Sequence, residues 1–105
     1  MTQEPDLETS SSSPPGTLVR DLRIVNRKGL HARASAKFVQ TVEKFNATVT
    51  VSRSGETVGG RSIMGLLTLG AAIGTTIHVT VAGADARPCL AAITALVEDR
   101  FGEEE

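Results

Sequence analysis

The chain has 105 residues, 40% of them hydrophobic, and a formal net charge of −1. That length permits one small domain, and with 3% aromatics its core must rely on Val, Ile, Leu and Ala. No apolar run approaches the ~20 residues of a membrane span, and the polar, acidic start is not a signal peptide. The single Cys89 has no internal disulfide partner, which fits a reducing cytoplasm. No Cys/His cluster has metal-ligand spacing, so neither a metal nor another cofactor is expected.

Residues 1–16 carry Glu4, Asp6 and Glu8, a run from Ser10 to Ser13, and Pro5, Pro14 and Pro15. With few large apolar groups they read as a disordered tail. Residues 17–102 form the domain, and 103–105 are an acidic end. Thr17 to Val25 is a strand with Leu22 and Ile24 facing the core and Arg23 opposite.

Asn26 to Leu30 is a turn around Gly29, a residue that lets the backbone reverse sharply. Ala32 to Phe45 follows as a helix whose Ala34, Phe38, Val42 and Phe45 form one apolar stripe, with Val39 beside it. Asn46 is a left-handed stop. Thr48 to Arg53 alternates as a second strand, Ser54-Gly55 turns a hairpin, and Glu56 to Val58 is a short third strand.

Ser62 to Leu69 reads as a short helix with Ser62 as N-cap and Gly70 as stop. Ile63, Met64, Leu66, Leu67 and Leu69 are too many for one narrow stripe. Some of Ile63, Met64 and Leu67 should remain exposed as a docking patch. Thr75 to Ala82 is the fourth strand, with His78 on its exposed side. A last helix follows, capped by Asp85, carrying Pro88 in its first turn and burying Cys89, Ile93, Leu96 and Val97. Two long helices on one face of a four-stranded antiparallel sheet make an α+β open-faced sandwich.

The chemistry concentrates where the first loop becomes the first helix. The opening N–H groups of a helix have no partner within it, and its dipole adds roughly half a positive charge there. Such an end seats phosphate. His31 places a nucleophilic nitrogen at that seat, and Arg33 can add a charge-assisted contact to phosphate oxygens. By spacing alone, a capping or solvated histidine remains as open as a reactive one. Arg20, Arg23, Arg27, Lys28, Arg33 and Lys37 lie between residues 20 and 37 against the single acid Asp21. The resulting basic patch lacks the aromatics or the motif of a nucleic-acid binder and suits a phosphoryl group or an acidic protein better.

Asn26-Arg27-Lys28-Gly29-Leu30-His31-Ala32-Arg33, followed by Ala34, Ala36 and Phe38, resembles the active-site signature of the HPr family. These are the histidine-containing phosphocarriers of the bacterial phosphoenolpyruvate-dependent phosphotransferase system. Arg61 to Gly70 is similar to that family's regulatory-serine motif, and the resemblance covers about residues 18 to 101. It implies an HPr-like fold with two long helices and one short one, and a cytoplasmic, monomeric carrier.

The resemblance further implies that His31 is phosphorylated at Nδ1, with Arg33 stabilising the phosphate. Enzyme I would be the donor and an enzyme IIA the acceptor. Ser62 would be the target of HPr kinase/phosphorylase, and Ile63, Met64, Leu67 and Lys37 would dock partners. No nucleic acid and no membrane insertion is expected. Ala34 departs from the proline common in the family, which would preset φ in the first turn.

Two other readings stay open. One is a regulatory binding module that signals through Ser62 alone, against which the intact His31 and Arg33 argue. The other is a stand-alone enzyme using His31 as nucleophile, against which the lack of a second acid–base group near it argues.

Overall fold

Alternation of β-branched residues produces strands where the sequence places them. A computed structural model describes residues 16–105, so all of the acidic tail reading except Gly16 lies outside the described residues. The elements are β1 (Leu18–Arg23), α1 (Ala32–Val42), β2 (Thr48–Arg53), β3 (Glu56–Gly59), α2 (Ile63–Thr68), β4 (Thr76–Ala82) and α3 (Ala86–Glu98). The strands form one antiparallel sheet in the order β1-β4-β2-β3.

Register explains the two faces of the sheet. Leu22 lies opposite Ile77, and Val49 and Val51 lie opposite Val81 and Val79. All six are buried, together with Ile24. One residue out of phase, Asp21 pairs with His78, Thr50 with Thr80 and Ser52 with His78 on the uncovered face. There His78 Nδ1 meets the Asp21 carboxylate at 2.5 Å, exposed and away from the helices. The hairpin between β2 and β3 turns at Ser54 and Gly55 with φ of 53° and 84°, the pair of left-handed residues that a two-residue turn requires.

Helices α1 and α3 pack beside each other over the inner face, and α2 leans on α1. Ala34, Phe38, Val39 and Val42 of α1 and Cys89, Ile93 and Val97 of α3 are buried in one cluster with the strands. Leu96 is only half-buried. Burial, the largest influence on Cys89, pushes its thiol pKa up, as expected of a core side chain and not of a reactive one.

Three details differ from the sequence reading. First, β1 stops at Arg23 instead of Val25. Second, α1 stops at Val42 and not Phe45, and Asn46 is absent from the left-handed residues. Past Val42 the helix tightens: Lys44 N–H donates to Thr41 O and Phe45 N–H to Val42 O, each three residues back, the geometry of a closing 3₁₀ turn. The stop comes from far along the chain. The Arg61 guanidinium donates to Ala47 O at 2.9 Å, Phe45 O at 3.1 Å and Val42 O at 3.5 Å, a cation on the negative end of the helix.

Third, Asp85 occupies the position before α3 but makes no side-chain cap. Its carboxylate accepts the Asn46 N–H at 2.7 Å, while its own N–H donates to Asn46 O at 3.0 Å. The competing loop amide takes the carboxylate from the helix. Ser62 does cap α2, its hydroxyl accepting from Gly65 N–H at 2.9 Å.

The chain after α3 carries structure that its sequence does not signal. Arg100, Phe101 and Gly102 all have positive φ, at 57°, 55° and 78°. Left-handed backbone costs a non-glycine residue roughly 1–2 kcal/mol. Complete burial of Phe101 opposes that cost here. Lys37 Nζ donates to Phe101 O at 2.6 Å, and the reversed chain returns to the start of α1.

Candidate functional site: the start of the first helix

Gly29 sets the approach to the site. Its φ is +71°, and a Cβ there would lie 2.5 Å from Ala71 O and 3.0 Å from Ala72 Cα. Only glycine meets both demands. The close approach lets Leu30 N–H donate to Ala71 O at 2.9 Å. Asn26, wholly buried, donates its amide to Gly29 O at 2.8 Å and so pins the loop from inside.

His31 is the residue before α1, with extended backbone and no side-chain cap. Ser35 N–H donates to His31 O at 2.8 Å as the first helical bond. The amides of Ala32, Arg33 and Ala34 precede it and have no acceptor within the helix. Ala34 is buried, and the helix starts without a proline in its first turn.

The imidazole is not capping, so it is available for something else. Its Nε2 contacts Glu103 Oε2, with the histidine side chain 27% exposed and the glutamate 20%. Glu103 Oε1 accepts from Asn26 Nδ2 at 3.0 Å. Burial works to raise the Glu103 pKa. The hydrogen bonds from Asn26 and His31 and the charges of His31 and Lys28 outweigh it, and the carboxyl lies below its ordinary 4.5. A second tie joins Arg27 to Glu105 at 2.7 Å.

A cavity of about 670 Å³ opens between this loop, α1 and the returning chain end. Arg27, Lys28, Arg33 and Lys37 line it beside His31, and so do Glu103 to Glu105. Arg20 and Arg23 do not line it, because they lie on β1. The basic patch is thus smaller than the charge count suggested, and it is partly neutralised by carboxylates. Arg33 is exposed and makes no hydrogen bond or ion pair among the described residues. Lys37 is half-buried.

Of the remaining predicted residues, Ser62 is exposed at the start of α2. Met64 is 70% and Ile63 39% exposed, Leu67 is half-buried, and Leu66 and Leu69 turn inward. Among the described residues no group of His, Cys, Asp and Glu could hold a metal, and no helix is long and apolar enough to cross a membrane.

A family model described as the phosphorylation site of the HPr component of the phosphotransferase system matches residues 18–99. The chain belongs to the HPr family. It is 46% identical over 88 residues to the phosphocarrier protein HPr of Cupriavidus necator, covering 84% of this chain and 99% of that one. Against HPr of Xylella fastidiosa it is 44% identical over 87 residues, covering 83% and 98%. Among solved structures, HPr-C-His from Thermoanaerobacter tengcongensis superposes with a TM-score of 0.80 at 36% identity, covering 84% of this chain and 99% of the other. HPr from Bacillus anthracis gives 0.74 at 34%, covering 77% and 96%. The open-faced sandwich and the phosphocarrier class follow together: this is an HPr phosphocarrier of the phosphotransferase system.

The sequence reading missed Glu103. By sequence, 103–105 are only an acidic end, and no acid–base group is expected near His31. The structure supplies one. The available signal was Phe101, a lone large apolar residue in a polar terminus, which had to be buried somewhere and would carry its neighbours with it.

The lowered Glu103 pKa makes a stability prediction with a definite sign. A depressed carboxyl contributes stability that is present above its ordinary pKa and lost as pH falls through the folded value. Urea unfolding should therefore show wild-type stability declining below pH 4.5 more steeply than that of Glu103→Gln. Parallel declines in the two proteins would contradict it.

Proposed function

We propose that His31 is the residue that carries the phosphoryl group, receiving it at Nδ1 from enzyme I and passing it to an enzyme IIA. The observation that supports this most is the placement of the ring at the head of α1, outside any capping role. Three amides without helical acceptors stand beside it there, with the side chain of Arg33. Anion stabilisation by amides and dipole and one exposed guanidinium suffices to form a phosphohistidine without trapping it. The work is positioning and charge compensation, which asks for no metal.

Ser62 is proposed as the regulatory site for HPr kinase/phosphorylase. A phosphate there adds about −1.5 to −2 charges beside the exposed Ile63 and Met64. Those two, with Leu67 and Lys37, are the proposed docking surface for enzyme I and enzyme IIA. Negative charge and its hydration shell at the edge of that apolar patch would weaken docking. In this reading the carrier acts in the cytoplasm as a monomer.

The test uses the full chain with purified enzyme I and phosphoenolpyruvate. The expected result is one acid-labile, base-stable phosphate mapped to His31, transferable to an enzyme IIA. A kinase and ATP should add an acid-stable phosphate that is absent from Ser62→Ala. A label on another residue, or none from any active enzyme I of the same organism, overturns the reading.

A further inference from the structure

We infer that Glu103 is a positioning residue for His31: it takes the Nε2 edge of the ring and leaves the Nδ1 lone pair for the incoming phosphoryl group. The inference rests on the reading of His31 as phosphoryl acceptor and adds the residue that selects which ring nitrogen reacts.

The carboxylate is held at both oxygens. Oε2 meets His31 Nε2 and Oε1 accepts from Asn26 Nδ2 at 3.0 Å. Asn26 is completely buried and fixed in turn by its bond to Gly29 O. The glutamate backbone is anchored from the other side: Glu103 N–H donates to Arg100 O at 2.9 Å, next to the buried Phe101. Glu103 is therefore aimed, although it stands two residues before the final Glu105.

An ionised carboxylate only accepts hydrogen bonds. The nitrogen facing it must carry the proton, and in a neutral imidazole the other nitrogen then holds the lone pair. Among the described residues nothing bonds to Nδ1. In the transfer, the Nδ1 lone pair forms the new N–P bond. The P–N bond of a phosphorylated imidazole on the donor breaks, and its electron pair stays on the donor ring. No proton leaves His31, because Nε2 already bears one. The phosphorylated ring is cationic, and its Nε2–H faces the carboxylate in a charge-assisted bond, stronger than a neutral one.

The experiment reads the ring directly, then the rate. Nitrogen-15 NMR of the unphosphorylated full chain, at a pH where the imidazole is neutral, should show Nε2–H as the dominant tautomer. In Glu103→Ala the preference should fall towards that of a solvated imidazole. Glu103→Gln, whose amide can face Nε2 with either end, should give a mixture. Phosphoryl uptake from charged enzyme I should be about tenfold slower in Glu103→Ala, with the same final stoichiometry on His31.

A merely structural Glu103 would leave the tautomer ratio where it is. Wild type that labels on His31 while Glu103→Ala keeps both its tautomer and its rate overturns this inference alone. Faster uptake by Glu103→Ala, the mark of a carboxylate that blocks phosphate, overturns it too. A wild-type chain that takes no label overturns the parent reading and this one with it.

Discussion

A His31→Ala chain should take up no phosphoryl label from charged enzyme I, while its unfolding free energy stays within about 1 kcal/mol of wild type. The two halves of this expectation come from the same geometry. The imidazole makes no side-chain cap, and the first helical bond uses the His31 carbonyl, which alanine retains. Only the contact with Glu103 is lost, at a partly exposed site. The proposed chemistry, in contrast, loses the imidazole that would accept the phosphoryl group, the only imidazole among the residues lining the cavity. The variant is thus a folded chain with an empty reaction. Residual acid-labile label would mean that another residue accepts phosphate. A collapse in stability would mean that the ring is structural.

The largest stability effect should come from Phe101→Ala. Truncation of a buried phenylalanine typically costs about 3–5 kcal/mol, a large share of the 5–15 kcal/mol that holds a domain together. The ring also holds a strained turn, since Phe101 sits at φ 55° between Arg100 at 57° and Gly102 at 78°. Without the ring, nothing in the core opposes the strain of that turn. The released terminus should take Glu103 with it, so the histidine tautomer should shift as in Glu103→Ala. Urea midpoints at pH 7 measure the first effect. A cost below 1 kcal/mol would show that the turn is held by Lys37 and backbone bonds instead.

Much of this molecule can be read directly from the residues, and the parts that cannot share a cause. The sheet is legible because Val49, Val51, Ile77, Val79 and Val81 alternate with polar neighbours and turn residues separate them. The start of α1 is legible because Gly29 and His31 are punctuation within a few residues of each other. The end of α1 is not, because the group that closes it, Arg61, is distant in sequence from Val42. Asp85 looks like a cap until the loop amide of Asn46 competes for it. The terminal turn evades reading because its left-handed positions are Arg100 and Phe101, where local preference points elsewhere and only burial decides. Local signals are strong where a residue's partners are its neighbours, and weak where tertiary contacts override them.

The grip of Arg61 on α1 has a mechanical side. The helix rises about 16 Å from His31 to its carbonyl end, and that end is clasped through Val42 O by Arg61, the residue adjoining Ser62. The rod therefore cannot pivot at its base without disturbing the chain that leads into α2. Two candidate modification points on separate elements are thus fastened to opposite tips of one stiff lever.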